Sequence, residues 1–305
     1  MGGRRAPLPQ ARARAEHLVR LRPASRARDR PVAAGGRGDG VSAENRPALV
    51  TGGAGWIGSA LSQALAAAGH PVAIGYSSGE QRAAALAEKI AADGGVAIPV
   101  AFDLSGRDTI RSGLAEVRER LGQVSVVVNN AGVNVGKTVV RHTAAEWERL
   151  IQVNLTGPAF LVRECLPAMF EAGWGRVVNI SSAAGQTPFL AAGPYGASKA
   201  GLNMFTRVVA LEVANKGVTS NALSPGVVAS DMLTRHGDAI LDLNVQAQSL
   251  KRPIEPGEIA AALAFLVSDE AAAVNGHVLA IDGGGPTFLP RLPKKQDRTG
   301  GRSAP

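Results

Sequence analysis

One turn of sequence constrains this chain more than any other. Thr51-Gly52-Gly53-Ala54-Gly55-Trp56-Ile57-Gly58 stands between the short apolar run Ala48–Thr51 and an amphipathic stretch from about Ile57 to Ala68. Gly53, Gly55 and Gly58 keep a G-x-G-x-x-G spacing where a strand hands over to a helix, the setting that gives this spacing meaning. The first glycine permits a tight turn, the second lets backbone amides approach a pyrophosphate, and the third lets helix and strand pack closely. The helix N-terminus then offers its positive end to the phosphates. A glycine-rich turn can also be purely structural; the strand before it and the helix after it argue for dinucleotide binding.

Downstream, the hydrophobic pattern alternates. Val72–Tyr76 and Val96–Phe102 read as strands, with helices at Gln81–Ala92 and Arg107–Leu121. Val124–Asn129 is almost continuously apolar, as expected for a parallel strand buried on both faces. Two long helical stretches, Ala144–Phe170 and Gly196–Ala214, flank a strand at Arg176–Ser181. A strand at Val218–Leu223, a helix at Pro256–Leu266 and a strand at Gly276–Ile281 complete the series. Strands alternating with helices mean βαβ units. The expected fold is therefore α/β: a single-domain Rossmann-type, doubly wound parallel sheet of about seven strands with helices on both faces, covering residues 47–285.

The flanks differ in kind. Residues 1–46 carry 11 Arg against 4 acidic residues and residues 286–305 carry 5 basic residues against 1 acidic, so a net charge of +8 leaves residues 47–285 at −3. Both flanks read as disordered basic extensions. A targeting segment, a nucleic-acid arm, a partner-binding tail and a read-through of upstream sequence all fit the first of them. The acidic core offers no basic stripe, so no nucleic acid is expected as a partner. No apolar stretch reaches the ~18 residues of a membrane span, so no membrane partner is expected either. Cys165 is the only cysteine, which excludes a disulfide within the chain, reads as a buried structural thiol and favours a cytoplasmic setting. No metal site is expected.

Tyr195 and Lys199, in Tyr-Gly-Ala-Ser-Lys, share one face of a helix, a turn apart. A phenol titrates near ~10, and an ammonium beside it favours the phenolate. The expectation is a tyrosine acidified by Lys199 that serves as proton donor to a carbonyl oxygen. The second strand ends in Tyr76-Ser77-Ser78-Gly79, with hydroxyls where a carboxylate would bind the ribose 2′-hydroxyl of NAD. Hydroxyls, with Arg82 a turn into the next helix, can accept a 2′-phosphate, so NADP(H) is favoured over NAD(H).

From about Pro47 to Gly285 the chain resembles the short-chain dehydrogenase/reductase family. The resemblance rests on the glycine loop, on Asn129-Asn130-Ala131-Gly132 closing the fourth strand, and on Asn154 in Val-Asn-Leu-Thr-Gly. It rests equally on Ser182 ending Asn-Ile-Ser-Ser, on Tyr195 with Lys199, on Ser224-Pro225-Gly226 and on Asp282-Gly283-Gly284. It implies an oxidoreductase acting on CH-OH or C=O groups, with Asn154, Ser182, Tyr195 and Lys199 as the catalytic set. Tyr195 would give the proton and Ser182 polarise the carbonyl. Lys199 would acidify the tyrosine and hold the nicotinamide ribose, and Asn154 would link Lys199 to solvent through its backbone carbonyl and a water. The implied coenzyme site comprises Gly52, Gly53, Gly55, Trp56, Ile57 and Gly58; Tyr76, Ser77 and Ser78; Asp103 and Leu104; Asn130, Ala131 and Gly132; Pro225, Gly226 and Val228; and Tyr195 and Lys199.

Trp56 departs from the family's single-domain loop, T-G-x-x-x-G-x-G, which has glycine at that position. Gly52, Gly55 and Gly58 instead fit the T-G-x-x-G-x-x-G of its larger, sugar-nucleotide-modifying branch, and an indole there would either crowd the coenzyme or shield it. The segment after Lys199 is too short for that branch's extra substrate domain. Within the family the chain is most similar to 3-oxoacyl-thioester reductases and polyketide ketoreductases, through Leu250-Lys251-Arg252-Pro253 ahead of Glu258-Ile259-Ala260 and through Pro194 before the tyrosine. This implies an NADPH-dependent ketoreductase; the alternatives are an NAD-dependent alcohol or sugar dehydrogenase and a non-catalytic nucleotide-binding scaffold. Of the two basic positions that would dock a carrier protein, one is Lys216 and the other falls near Gly173. Asn134, Gln186, Phe189, Met232 and His236 are candidate pocket residues, and Val227–Leu250 a candidate moving segment. The family's usual assembly through its two long helices implies a homotetramer or homodimer, with a small-molecule ketone or alcohol as substrate.

Overall fold

The apolar runs alternate between two cores. Ala48 and Val50 face one side of the sheet and Leu49 the other; Val126 and Val128 share the first side and Val127 the second. This period-two division explains why these strands are apolar throughout: each is covered twice. The computed structural model describes residues 46–228, 245–246 and 248–285. Its strands are β1 Ala48–Thr51, β2 Val72–Tyr76, β3 Ala97–Ala101, β4 Val126–Asn129, β5 Gly175–Ile180, β6 Val218–Pro225 and β7 Val278–Ile281. Its helices are α1 Trp56–Ala67, α2 Glu80–Ala92, α3 Arg107–Leu121, α4 Ala144–Ile151, α5 Gly157–Ala172, α6 Gly193–Val213 and α7 Pro256–Val267.

The strands form one parallel sheet in the order β3-β2-β1-β4-β5-β6-β7. Leu61 and Leu65 of α1, Ala83 and Ile90 of α2, and Ile259 and Leu263 of α7 fill the first core. Ile110 and Leu114 of α3, Leu161 and Met169 of α5, and Val209 and Val213 of α6 fill the second. Each fully buried leucine or isoleucine stabilises the fold by about 1.5–3 kcal/mol through transfer alone. The strand order reverses between β1 and β4, so the connections leave in opposite directions there and open a crevice at the strand C-termini.

The helix expected over Ala144–Phe170 is interrupted. Residues Gln152–Thr156 form a π-helical turn, with the Gly157 N–H donating to the Gln152 carbonyl. α6 begins at Gly193, ahead of the expected Gly196, because Pro194 in the first turn lacks only a donor that would have no partner there. β6 continues to Pro225, paired with Ile281 of β7. Arg46, the last residue of the expected basic extension, is part of the fold. Its Nη1 donates to Asp269 Oδ1 at 3.1 Å, its guanidinium lies 4.0 Å from the Trp174 ring centroid, and its carbonyl pairs with His70 Nδ1 at 2.8 Å. Residues 1–45 and 286–305 lie outside the described residues. So do the pocket candidates Met232 and His236 and most of the candidate moving segment.

Candidate active site

The glycine loop is held from the β4 side. The Thr51 hydroxyl accepts from the N–H groups of Asn130 and Ala131, both at 3.0 Å, and Asn130 Nδ2 donates to the carbonyls of Thr51 and Gly52 at 3.0 Å. Asn130 and Ala131 thus brace the turn at the end of β1. Glycine is mandatory at 58: a Cβ there would sit 2.1 Å from the Gly52 carbonyl oxygen, backbone against backbone. Gly52 has φ +61°, a conformation open to glycine at little cost. Gly55 caps α1 and Trp56 opens it, with no acidic residue in the first turn to repel an anion. Trp56 is 56% exposed and outside both cores, so the indole lies on the surface of the helix N-terminus. Gly53 lies close against Val50, Ser62 and Ile74, and Ile57 is partly buried against the first core.

At the ends of β2 and β3 lies a cavity of about 340 Å³, bordered by Tyr76, Ser77, Phe102, Asp103, Thr109 and Ser112. Asp103 accepts from the Ser105 N–H at 2.9 Å and from the Ser105 hydroxyl at 2.6 Å, which orients its carboxylate at the rim. The Leu104 side chain is buried in the second core and only its backbone can face a ligand; Val228 is likewise buried in the first core. Ser77 and Ser78 are exposed. Arg82 folds back over Gly79, whose missing Cβ leaves room for a guanidinium: the nearest Arg82 nitrogen would lie 2.7 Å from one. A cation and two exposed serines therefore stand at the end of β2. Glycine cradle, helix N-terminus and cavity fit a nicotinamide dinucleotide.

The catalytic candidates gather across the crevice, at the end of β5. Ser182 is extended and caps a short 3-10 turn, its hydroxyl accepting from the Ala184 N–H at 3.2 Å. Tyr195 sits in the first turn of α6 and Lys199 one turn later, 4% exposed. Lys199 Nζ donates to the Ile180 carbonyl at 2.8 Å and lies 5.8 Å from the centroid of the Tyr195 ring. Asn154 is fully buried within the π-helical turn. Its Oδ1 accepts from the Val133 N–H at 2.8 Å, and its Nδ2 donates to the Val133 carbonyl at 2.9 Å and to the Ser198 hydroxyl at 3.1 Å. Ser198 in turn donates to the Tyr195 carbonyl at 2.7 Å. Asn154 thereby ties the segment after Gly132 to the helix bearing Tyr195. A Cβ on Gly132 would come within 3.4 Å of Asn154 and 3.6 Å of Lys199 Nζ, which places that turn beside both.

The expected acidification of Tyr195 by Lys199 is not what this arrangement produces. Burial pushes the Tyr195 phenol above its ordinary value, and only the Ser182 hydroxyl pulls it down. Burial also pushes the Lys199 ammonium down to about 8. The cause is shared: protein packed around the two groups disfavours both charged forms, and the ammonium spends its bond on Ile180.

Thr51, Ser198 and Ser224 stand inside motifs the sequence displays, but the partners they position do not show there. Gln186, a pocket candidate, donates from Nε2 to the Ser224 hydroxyl at 2.8 Å, closing the loop after Ser182 onto β6. Thr51 stands in the glycine motif, Ser198 beside Lys199 and Ser224 in Ser-Pro-Gly, yet none of these motifs names a partner, since those of Ser198 and Ser224 lie 44 and 38 residues away. Asn134 and Phe189 lie half-buried on the loops after β4 and β5. Pro225 ends β6, and the N–H of Gly226 donates to the Ile281 carbonyl at 3.0 Å.

Known proteins resemble this chain in sequence and fold. The short chain dehydrogenase family matches residues 46–240. The chain is 37% identical over 240 residues to the acetoacetyl-CoA reductase of Allochromatium vinosum, covering 78% of this chain and 98% of that one. It is 33% identical over 240 residues to a 3-oxoacyl-[acyl-carrier-protein] reductase of Staphylococcus epidermidis, with 79% and 98% covered. Among solved structures, a gluconate 5-dehydrogenase from Burkholderia cenocepacia in complex with NADP and tartrate superposes with a TM-score of 0.74 at 29% identity, covering 78% of this chain and 94% of that one. A blue fluorescent protein from a metagenomic library in complex with NADPH gives 0.74 at 31%, covering 78% and 97%. On sequence, fold and the order of these motifs, the chain belongs to the short-chain dehydrogenase family.

Proposed function

We propose that this oxidoreductase is a cytoplasmic ketoreductase that uses NADP(H) to reduce a small ketone, with a 3-oxoacyl thioester as the substrate class. The observation that carries it is the convergence of Tyr195, Ser182 and Lys199 at the end of β5, facing a crevice with an anion cradle on its other wall. The thioester is supported by the names of the two curated relatives. NADP(H) is supported by Ser77, Ser78 and Arg82 at the end of β2 and by the coenzymes bound to two structural neighbours.

When bound, the reduced coenzyme supplies a hydride to the carbonyl carbon. The chain's own residues manage the oxygen. Ser182 donates a hydrogen bond as negative charge grows there, and Tyr195 delivers the proton. A phenol raised by burial stays protonated at neutral pH, which suits a donor and favours reduction there; the reverse reaction gains as pH rises. Lys199, held against Ile180, orients the coenzyme's ribose. The Asn154 turn, by widening the helix, provides a carbonyl through which water can reprotonate Lys199. Gly52, Gly55 and Gly58 admit the pyrophosphate to the N-terminus of α1, with Trp56 shielding it from solvent.

Lys216 lies just before β6, at the end of the sheet opposite the crevice, beside Gly173: a Cβ on Gly217 would sit 1.9 Å from the Gly173 carbonyl oxygen. Within one protomer it is far from the catalytic residues, which supports a coenzyme A or other free thioester over a carrier-bound one. A sugar-acid dehydrogenase is the second reading, favoured by the gluconate 5-dehydrogenase neighbour. Assembly as a homotetramer or homodimer is supported by Met204, Val208 and Leu211, 56%, 44% and 82% exposed along one stripe of α6. The deciding experiment follows NADPH oxidation with acetoacetyl-CoA, trans-1-decalone and 5-ketogluconate. Turnover of the thioester, lowered by two or more orders of magnitude in Tyr195→Phe, supports the proposal. Turnover of the sugar acid alone, or full activity in Tyr195→Phe, defeats it.

A further inference from the structure

Gln248 is fully buried, which is costly for a side-chain amide unless both ends are bonded. Both are. Its Oε1 accepts from the Val227 N–H at 2.7 Å, and its Nε2 donates to the Arg252 carbonyl at 2.9 Å. The amide seats itself where a side chain on residue 226 would stand: a Cβ on Gly226 would lie 2.4 Å from Oε1. Around it, the Val227 carbonyl accepts from the Ile254 N–H at 2.8 Å and the Gly226 N–H donates to Ile281 at 3.0 Å. Val227 has passed the end of β6 and has no strand partner for its N–H. Gln248 supplies one, and links two stretches of chain 21 residues apart.

The segment so fixed forms one wall of the crevice. It follows Ser224, which Gln186 ties to the loop carrying Ser182. A dinucleotide spans both halves of such a sheet, with its phosphates at the glycine loop after β1. Its reactive ring then falls in the β4–β6 half, where Tyr195 stands, against residues Pro225–Val228. Resting on the coenzyme reading above, we infer that Gln248 is a positioning residue that holds the backbone wall receiving the nicotinamide end of the coenzyme. The amide is suited to this because it offers one acceptor and one donor, as a neighbouring strand would.

The test compares wild type with Gln248→Met, near in volume but unable to bond, and with Gln248→Glu, which keeps the acceptor facing Val227. Binding of NADPH and of adenosine 2′,5′-bisphosphate, which lacks the nicotinamide, is titrated directly, with melting temperature recorded for each protein. Gln248→Met weakens NADPH about tenfold, as for a buried donor left without its acceptor, and leaves the bisphosphate unchanged. Amide exchange in a peptide covering residues 224–228 becomes faster in the same variant. Gln248→Glu sets a carboxyl oxygen against the Arg252 carbonyl in place of the donor, so it too should weaken NADPH relative to the bisphosphate, and it decides the matter should Gln248→Met fail to fold. Equal loss for NADPH and the bisphosphate, or no loss for NADPH, overturns the inference. A wild-type protein that binds no NADPH defeats the proposed function instead, and is seen before any variant is made.

Discussion

Lys199 carries a cost that can be measured without any substrate. It is 4% exposed, its one hydrogen bond goes to the Ile180 carbonyl, and burial lowers it from 10.5 to about 8. At 1.36 kcal/mol per pH unit, that gap is about 3 kcal/mol by which the folded state disfavours the ammonium. The sign follows from proton counting. Between about pH 8 and 10.5 the unfolded chain holds more protons on this residue than the folded one, so folding stability rises with pH across the window. Lys199→Met removes this contribution and leaves every other titrating group in place. The stability of wild type minus that of the variant should therefore climb by about 2 kcal/mol between pH 7 and 9.5. The assay is reversible urea unfolding of both proteins at pH 7, 8.5 and 9.5, at one protein concentration and without coenzyme. Near neutral pH the variant also loses the bond to Ile180, which offsets part of its gain by about 1 kcal/mol and makes the change with pH the decisive quantity. A difference that stays flat across the three pH values refutes the reasoning, since the ammonium would then be solvated in the folded protein.

Three further outcomes are expected. Gly58→Ala drives a Cβ into the Gly52 carbonyl at 2.1 Å, so it should cost about 1–3 kcal/mol in urea unfolding and abolish NADPH binding by titration. Arg82→Ala should weaken NADPH about tenfold and leave NADH unchanged, as for a lost charge-assisted hydrogen bond; equal loss for both coenzymes contradicts a 2′-phosphate contact. Cys165 is 2% exposed and its thiol is pushed up to about 12 by burial, so a thiol-specific reagent at pH 7.5 should label it only in denaturant.

The elements were legible because their causes are local. β1 and β4 are apolar runs bounded by turns, α3 repeats its apolar residues with helical spacing, and the glycine loop marks its own strand-to-helix junction. The break in the long helix at Gln152–Thr156 was legible only in part. Pro158, just after the turn, lacks the N–H that would bond the Asn154 carbonyl, which is a local cause; the bonds from Asn154 to Val133 and Ser198, 21 and 44 residues away, are the part the sequence does not show. The ionisation of Tyr195 was misjudged for a related reason. Spacing four apart says that two side chains share a helix face, but not how much water reaches them or which carbonyl claims the ammonium.

Sequence by itself determined which chemical groups this chain possesses and the order in which strand, turn and helix present them, because propensity, periodicity and glycine geometry act over a few residues. Tertiary structure alone decided which groups meet: Thr51 with Asn130, Lys199 with Ile180, Gln248 with Val227. Those encounters, and the exclusion of water that pushes Lys199 down and Tyr195 up, exist only once distant segments pack, since a hydrogen bond or a desolvation penalty depends on distance in space and not along the chain.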